Sequence, residues 1–250
     1  MHRLSVALLV AASAIGLTQM ASATDLPTKA PIFKAPVVVL PYNWTGFYIG
    51  LNLGGSWGRQ ENSLVTTAGT TAVSNNDHVN GAIGGGQIGY NWQVDRWVLG
   101  IEADFQGSGQ KGDDNFFLTA RNPNLLVIPS TAVAFTDELD WFGTVRGRVG
   151  YAFDRWLPYF TGGWAFGHGE ISGTTTIGAT TTSFSASQDY SGWTIGGGVE
   201  WAYANHWSAK LEYLYIDFGD GPTVPVSTTL NMVSGKLTDN IVRAGVNYKF

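Results

Sequence analysis

The sequence predicts an all-β protein, an eight-stranded antiparallel up-and-down transmembrane β-barrel. Three observations predict it. Apolar and polar residues alternate with the period of a strand in eight separate runs. The links between the runs are alternately long and short, as in barrels with long outer loops and tight inner turns. The apolar face holds large aromatic side chains, whereas the opposite face is mostly glycine with a few charges. Composition agrees: 33 glycines, 13% aromatic residues and only 13% charged residues in 250, the last about half the usual soluble share.

The chain opens with a segment that is read apart from the fold. Residues 1–23 have a basic start at Arg3, an apolar core from Leu4 to Leu17 and an Ala21-Ser22-Ala23 close. This is the pattern of a secretory signal peptide cleaved after Ala23. Residues 24–43 carry prolines at 27, 31, 36 and 41 and are expected to form an extended, mobile periplasmic leader. The barrel is expected over residues 44–250.

Its strands follow in order. In "GFYIGLNLGGSWG", Phe47, Ile49, Leu51, Leu53 and Trp57 share one face. In "GAIGGGQIGYNW", Ile88, Tyr90 and Trp92 oppose Gln87 and Asn91. "WVLGIEADFQG" sets Trp97, Leu99, Ile101 and Phe105 against Glu102, Asp104 and Gln106. "ELDWFGTVRGRVGY" sets Leu139, Trp141, Val145, Val149 and Tyr151 against Asp140, Thr144, Arg146 and Arg148. "LPYFTGGWAFGHGE" has aromatics on both faces, and alternation leaves its facing open. "GWTIGGGVEW" sets Trp193, Ile195, Val199 and Trp201 against Thr194 and Glu200. "WSAKLEYLYI" sets Trp207, Leu211, Tyr213 and Tyr215 against Ser208, Lys210 and Glu212. The last run, "NIVRAGVNYKF", carries strict alternation to its final phenylalanine.

The short links are "QVDR", "AFDR" and "AYANH"; the long ones, Arg59–Asn80, Gly109–Thr136, Ser172–Ser191 and Gly219–Lys236, are expected to be surface loops. Trp92, Trp97, Trp156, Trp201 and Trp207 lie beside the short turns. They are expected to form an aromatic girdle at the periplasmic interface. Trp57, Trp141 and Trp193 lie nearer the long links, where a second girdle would begin.

A soluble barrel would show the same alternation with its faces reversed. The secretory start, the alternating link lengths, the scarcity of Lys and Glu on the polar face and the terminal phenylalanine favour lipid outside. The polar face then lines the lumen. It brings in four acids, Glu102, Asp104, Glu200 and Glu212, and four bases, Arg146, Arg148, Lys210 and Arg243. An eight-stranded barrel is only wide enough for its own side chains, and a buried unpaired charge is costly. A closed network of ion pairs and hydrogen bonds is therefore expected.

Several function classes are set aside by the residues. Without cysteine there are no disulfides, thiol nucleophiles or cysteine zinc sites. No basic cluster suggests nucleic acid. "GGGQIG" fits a dinucleotide motif but lies inside a strand run, not at a helix start, and no cofactor is expected. His78, His168 and His206 lack ligand spacing. His168 and Glu170 share a strand face, but no serine joins them, so no enzyme is expected.

With these runs in place the chain resembles the small alphaproteobacterial outer-membrane immunogenic, porin-like β-barrel proteins, similar to the OmpA transmembrane domain. The carrying stretches are "NWTGFYIGLNLGGSWG", "GGGQIGYNWQ", "VLGIEADFQGS", "TVRGRVGYAFDRWLPYFTGGWAFG", "GWTIGGGVEWA", "WSAKLEYLYIDFG" and "NIVRAGVNYKF". The resemblance implies a location in the bacterial outer membrane. It also implies that the last strand, through Val246, Tyr248 and Phe250, is read by the outer-membrane assembly machinery. A structural barrel with a largely closed lumen is the expected function. The alternatives are a narrow porin for small solutes, or surface binding of a host component, another ligand or haem through the loops. The expected partners are outer-membrane lipid and lipopolysaccharide, the assembly machinery, and a host or surface ligand.

Overall fold

The computed structural model describes residues 41–66, 69, 71–118, 131–227 and 230–250. The signal segment, the leader up to residue 40 and the apolar "NLLVIP" stretch at 124–129 lie outside these residues. Nine strands follow one another: β1 (Gly46–Thr66), β2 (Thr71–Val94), β3 (Trp97–Leu118), β4 (Thr131–Tyr151), β5 (Trp156–Ile177), β6 (Thr180–Trp201), β7 (Trp207–Asp220), β8 (Thr223–Pro225) and β9 (Leu230–Lys249). All pair antiparallel. Eight of them form a ring, β1-β2-β3-β4-β5-β6-β7-β9, closed by pairing of β1 with β9. The short β8 is added to the upper part of β9, Thr223 opposite Val233 and Pro225 opposite Asn231. Among the described residues no helix is long and apolar enough to cross a membrane; strands make the crossing.

Two of the short turns share one device. Asp95 and Asp154 each have φ of 54°, the left-handed region in which aspartate is enriched among non-glycine residues. This is why "VDRW" and "FDRW" recur at equivalent corners.

Near the short turns the alternation has one sense. Phe47, Leu51, Ile88, Trp97, Leu99, Ile101, Val145, Ile195, Leu211 and Val246 point outward and stay exposed, while Glu102, Arg146, Glu200, Lys210 and Arg243 are buried inside. β5, whose facing alternation left open, turns Leu157, Tyr159 and Thr161 inward and Trp156, Phe160 and Trp164 outward, with Phe160 76% exposed. An apolar band on the outside of a closed barrel is the surface that lipid covers. Val145→Arg, in the middle of this band, is expected to lower stability by about 2–4 kcal/mol. Urea unfolding in lipid vesicles checks this, and an unchanged midpoint would mean that β4 does not face lipid there.

Away from the short turns the structure departs from expectation. The four long links are not loops for most of their length. β1 runs on to Thr66 and β2 starts at Thr71, as the two arms of one long hairpin. β5 and β6 are paired up to Ile177 and Thr180. The sense of alternation also inverts. Leu64, Phe116, Val133, Phe135, Ile171, Leu230 and Met232 pack inside as one apolar cluster. Beyond the membrane the outside is water, so the burial rule of an ordinary soluble sheet returns.

The changeover is marked by irregular pairing in β1–β9, β3–β4, β4–β5 and β7–β9, at Gln60/Asn62, Gly107/Gln110, Leu139/Trp141 and Asp217/Gly219. Such bulges concentrate at barrel rims. In β4, Leu139 pairs with Gly169 and Trp141 with His168, so Asp140 is an extra residue. It shifts the parity. Leu139, expected on the lipid face, is buried, and Asp140, expected inside, is exposed.

Candidate functional site

The interior is built in layers, and the central one is electrostatic. Neighbouring strands bring Glu102, Asp104, Arg146 and Arg148 side by side, because Glu102 is paired with Arg146 and Asp104 with Thr144. β7 and β9 add Glu212 opposite Arg243. Arg146 binds three carboxylates: Nη2 lies 2.5 Å from Glu102 Oε1 and 2.8 Å from Asp104 Oδ2, and Nη1 lies 3.1 Å from Glu212 Oε1. Arg243 Nη2 reaches Asp104 Oδ2 at 2.9 Å and Glu212 Oε2 at 2.7 Å. Lys210 Nζ donates to both oxygens of Glu102, at 2.9 and 3.1 Å. Arg148 Nη2 donates to Glu200 Oε2 at 2.8 Å.

Neutral groups complete the set. Tyr48 donates to Glu102 Oε2 at 2.7 Å, Tyr159 to Glu212 Oε1 at 2.9 Å, and Thr144 to Asp104 Oδ2 at 2.7 Å. Glu200 Oε1 accepts from Ser208 at 2.5 Å and from Asn247 Nδ2 at 2.8 Å. The Arg148 guanidinium lies 4.0 Å from the centroid of the Tyr159 ring, a cation–π contact. All eight charged residues named from the sequence meet in this one layer, four negative and four positive. Tyr159 was missed, because both faces of its strand carry aromatics.

A second closure lies at the short-turn end, and sequence reasoning did not find it. Residues Tyr42–Thr45 precede β1 and cross the mouth of the barrel. Trp44 is 2% exposed and packs with Val98, Ala152, Leu157 and Ala202. Its backbone N–H donates to Gln93 Oε1 at 2.8 Å, and its indole N–H donates to the Asp154 carbonyl at 3.1 Å. Tyr42 covers Trp44 edge-on at 4.8 Å, with Lys249 Nζ 4.3 Å from the Tyr42 ring. Burial pushes the Tyr42 phenol up to about 12. In the sequence, "NWT" shows only a sequon-like triplet and gives no sign of this wedge.

Above the charges the lumen is apolar again. Ile83, Leu139, Phe142, Ala165, Leu214, Ile216, Phe218 and Ile241 form one cluster. A polar belt follows: Gln110 Nε2 donates to Asp239 Oδ2 at 2.7 Å and to the Ser56 hydroxyl, and Asn62 Nδ2 donates to Asp137 Oδ2 at 3.0 Å. Asp137 and Asp239 are buried acids that fell within or beside expected loops. Among the described residues no group of three or more His, Cys, Asp and Glu side chains could hold a metal ion.

The girdle tryptophans ring the short-turn end on the outside. Trp92, Trp97, Trp156, Trp201 and Trp207 are 43–60% exposed. Trp156 stacks on Trp201 at 5.6 Å, and Trp97 meets Tyr151 edge-on at 5.4 Å. The last strand joins the same belt. Val246 pairs with Leu51 and Ala209, and Tyr248 with Ile49 and Trp207. Phe250 is 67% exposed, packs edge-on against Tyr248 at 5.2 Å, and donates its N–H to the Phe47 carbonyl.

A closed ring of antiparallel strands with an apolar, aromatic-bounded exterior and a charge-packed interior defines a transmembrane β-barrel of the outer-membrane class. The chain belongs to the family of outer membrane protein β-barrel domains, whose model matches residues 7–250. It is 35% identical to the 31 kDa outer-membrane immunogenic protein of Brucella melitensis, over 98% of this chain and 97% of that protein. It is 28% identical to the 25 kDa outer-membrane immunogenic protein of Brucella abortus, over the whole of both. Among solved structures, the outer membrane protein OprG from Pseudomonas aeruginosa is similar with a TM-score of 0.44 and 12% identity, covering 84% of this chain and 99% of that one. The protein is thus an outer-membrane protein, with its short turns toward the periplasm by the general rule for such barrels.

Proposed function

We propose that the protein is a structural barrel of the outer membrane, closed to solutes, which meets the outside through its long hairpins. One observation carries the reading: large side chains fill the space beside the lumen glycines. At Gly198, a single added β-carbon would lie 2.5 Å from the Leu211 carbonyl oxygen and 2.9 Å from the Tyr159 hydroxyl. At Gly100 it would collide with Asn91 Oδ1 and the Arg148 side chain. Gly198 and Gly100 leave space that tyrosine and arginine side chains fill. A narrow porin would need a continuous water path through Trp44, the ion-pair layer and the apolar cluster in turn.

In this reading the exposed apolar band meets lipid, and the hairpin surfaces meet lipopolysaccharide and any ligand or host component. The strand ending in Val246, Tyr248 and Phe250 is the segment that the assembly machinery recognises. Its support is the unbroken pairing of residues 241–248 with both neighbours and the exposure of Val246 and Phe250. The closing measurement is single-channel conductance of refolded, heat-modifiable protein in a planar bilayer. Silence is expected. Steady, reproducible openings would overturn the closed lumen and put the porin reading in its place.

A further inference from the structure

Strand β6 loses its neighbour halfway up. Its pairing with β7 begins at Trp193–Asp217 and continues down to Trp201–Ala209. Above that point Thr180–Ser191 is paired with β5 alone, from Thr180–Ile177 to Ser191–Phe166. On the other side β8 lies against β9. Among the described residues nothing pairs with the second edge of Thr180–Ser191. Among the described residues the wall is therefore split between upper β6 and β8.

An open edge presents unpaired N–H and C=O groups at strand spacing, and proteins usually guard it with lysine, proline, a bulge or short length. Here none of these guards is present. Thr180–Ser191 contains no lysine, arginine or proline, and its ladder with β5 runs without a register shift. Its residues are mostly threonine and serine, good strand formers or small enough to admit bulky neighbours. Most of them are exposed.

Three exposed acids flank the edge. The Asp189 side chain is 87% exposed and lies 2.7 Å from His168 Nδ1. Glu170, opposite Ser187 on β5, is exposed, as is Asp220 on the facing side. On that side Lys236 is engaged with Asp217 at 2.8 Å.

We propose that Thr180–Ser191 is a docking edge that takes an extended polypeptide with basic side chains on alternate residues, added to β6 as a further strand. Only a peptide backbone matches a row of alternating donors and acceptors, and the acids at the rim select its charge. This goes beyond the closed-lumen reading and does not depend on it.

The test uses the full mature chain in lipid nanodiscs and a labelled peptide of alternating valine and lysine. Fluorescence anisotropy should show saturable binding, and hydrogen exchange should show new protection at Thr180–Ser191. The same peptide methylated on every second backbone nitrogen should lose binding, and a valine–glutamate peptide should not bind. Asp189→Lys, an exposed change outside the barrel core, should weaken binding several-fold. Binding that survives backbone methylation or Asp189→Lys would overturn the proposal as mere charge attraction. So would protection elsewhere in the chain. Protection of Thr180–Ser191 without peptide, together with a dimeric mass, would show that a second copy occupies the edge and would also overturn it.

Discussion

Arg146→Met is expected to lower the free energy of unfolding by about 3–5 kcal/mol, because removing one partner strands buried charge. Arg146 is 1% exposed and serves Glu102, Asp104 and Glu212 together. Arg243 and Lys210 would still neutralise part of that charge, which keeps the cost within this range. Methionine fills a similar volume, so a loss would report charge rather than a cavity. Glu102→Gln in the Arg146→Met background should recover part of it, since one stranded charge is then gone. Urea unfolding of the folded barrel in lipid vesicles measures both. A loss below about 1 kcal/mol would put the network in the range of solvated surface pairs, and the lumen would have to be wet.

Phe142→Ala is expected to cost about 3–5 kcal/mol, the usual range for removing a buried aromatic ring. Its side chain is fully buried, and its ring meets Phe218 at 6.2 Å, directly above the charges. Phe160→Ala, at an exposed position on the lipid side, should cost far less. The same vesicle unfolding assay separates the two. Equal losses would mean that the upper lumen is not a packed apolar core.

What the sequence revealed and what it hid follow one physical rule. Near the short turns the environments on the two faces are fixed as lipid and lumen, so alternation alone assigns Glu102, Arg146, Glu212 and Arg243 to one side. Which of them touch depends on register across four strands, and a single strand's pattern holds no information about that. The long links suggest loops because each separates two clear runs of lipid-facing alternation by many residues. They do alternate: Val133, Phe135, Ile171 and Met232 lie in strict strand positions. Their sense is inverted where lipid gives way to water, and a reading with one fixed outside cannot see that. Leu139 was misassigned for a related reason, since the one extra residue at Asp140 flips every side chain beyond it.

The strap at Tyr42–Thr45 bears on how the ring holds shut. Seven of the eight junctions join strands consecutive along the wall, so the chain itself ties them together. The junction of β1 and β9 has no such tie; it is a belt fastened by its two ends. The fastening has a buckle: Trp44 is wedged under the barrel from the β1 end, and Lys249 of β9 donates to the Asn43 carbonyl beneath the Tyr42 ring. A pull on the chain ahead of Tyr42 would reach this buckle before it reached the first rung of the β1–β9 ladder. Mechanical load applied at that end would be borne by the floor of the barrel rather than by its seam.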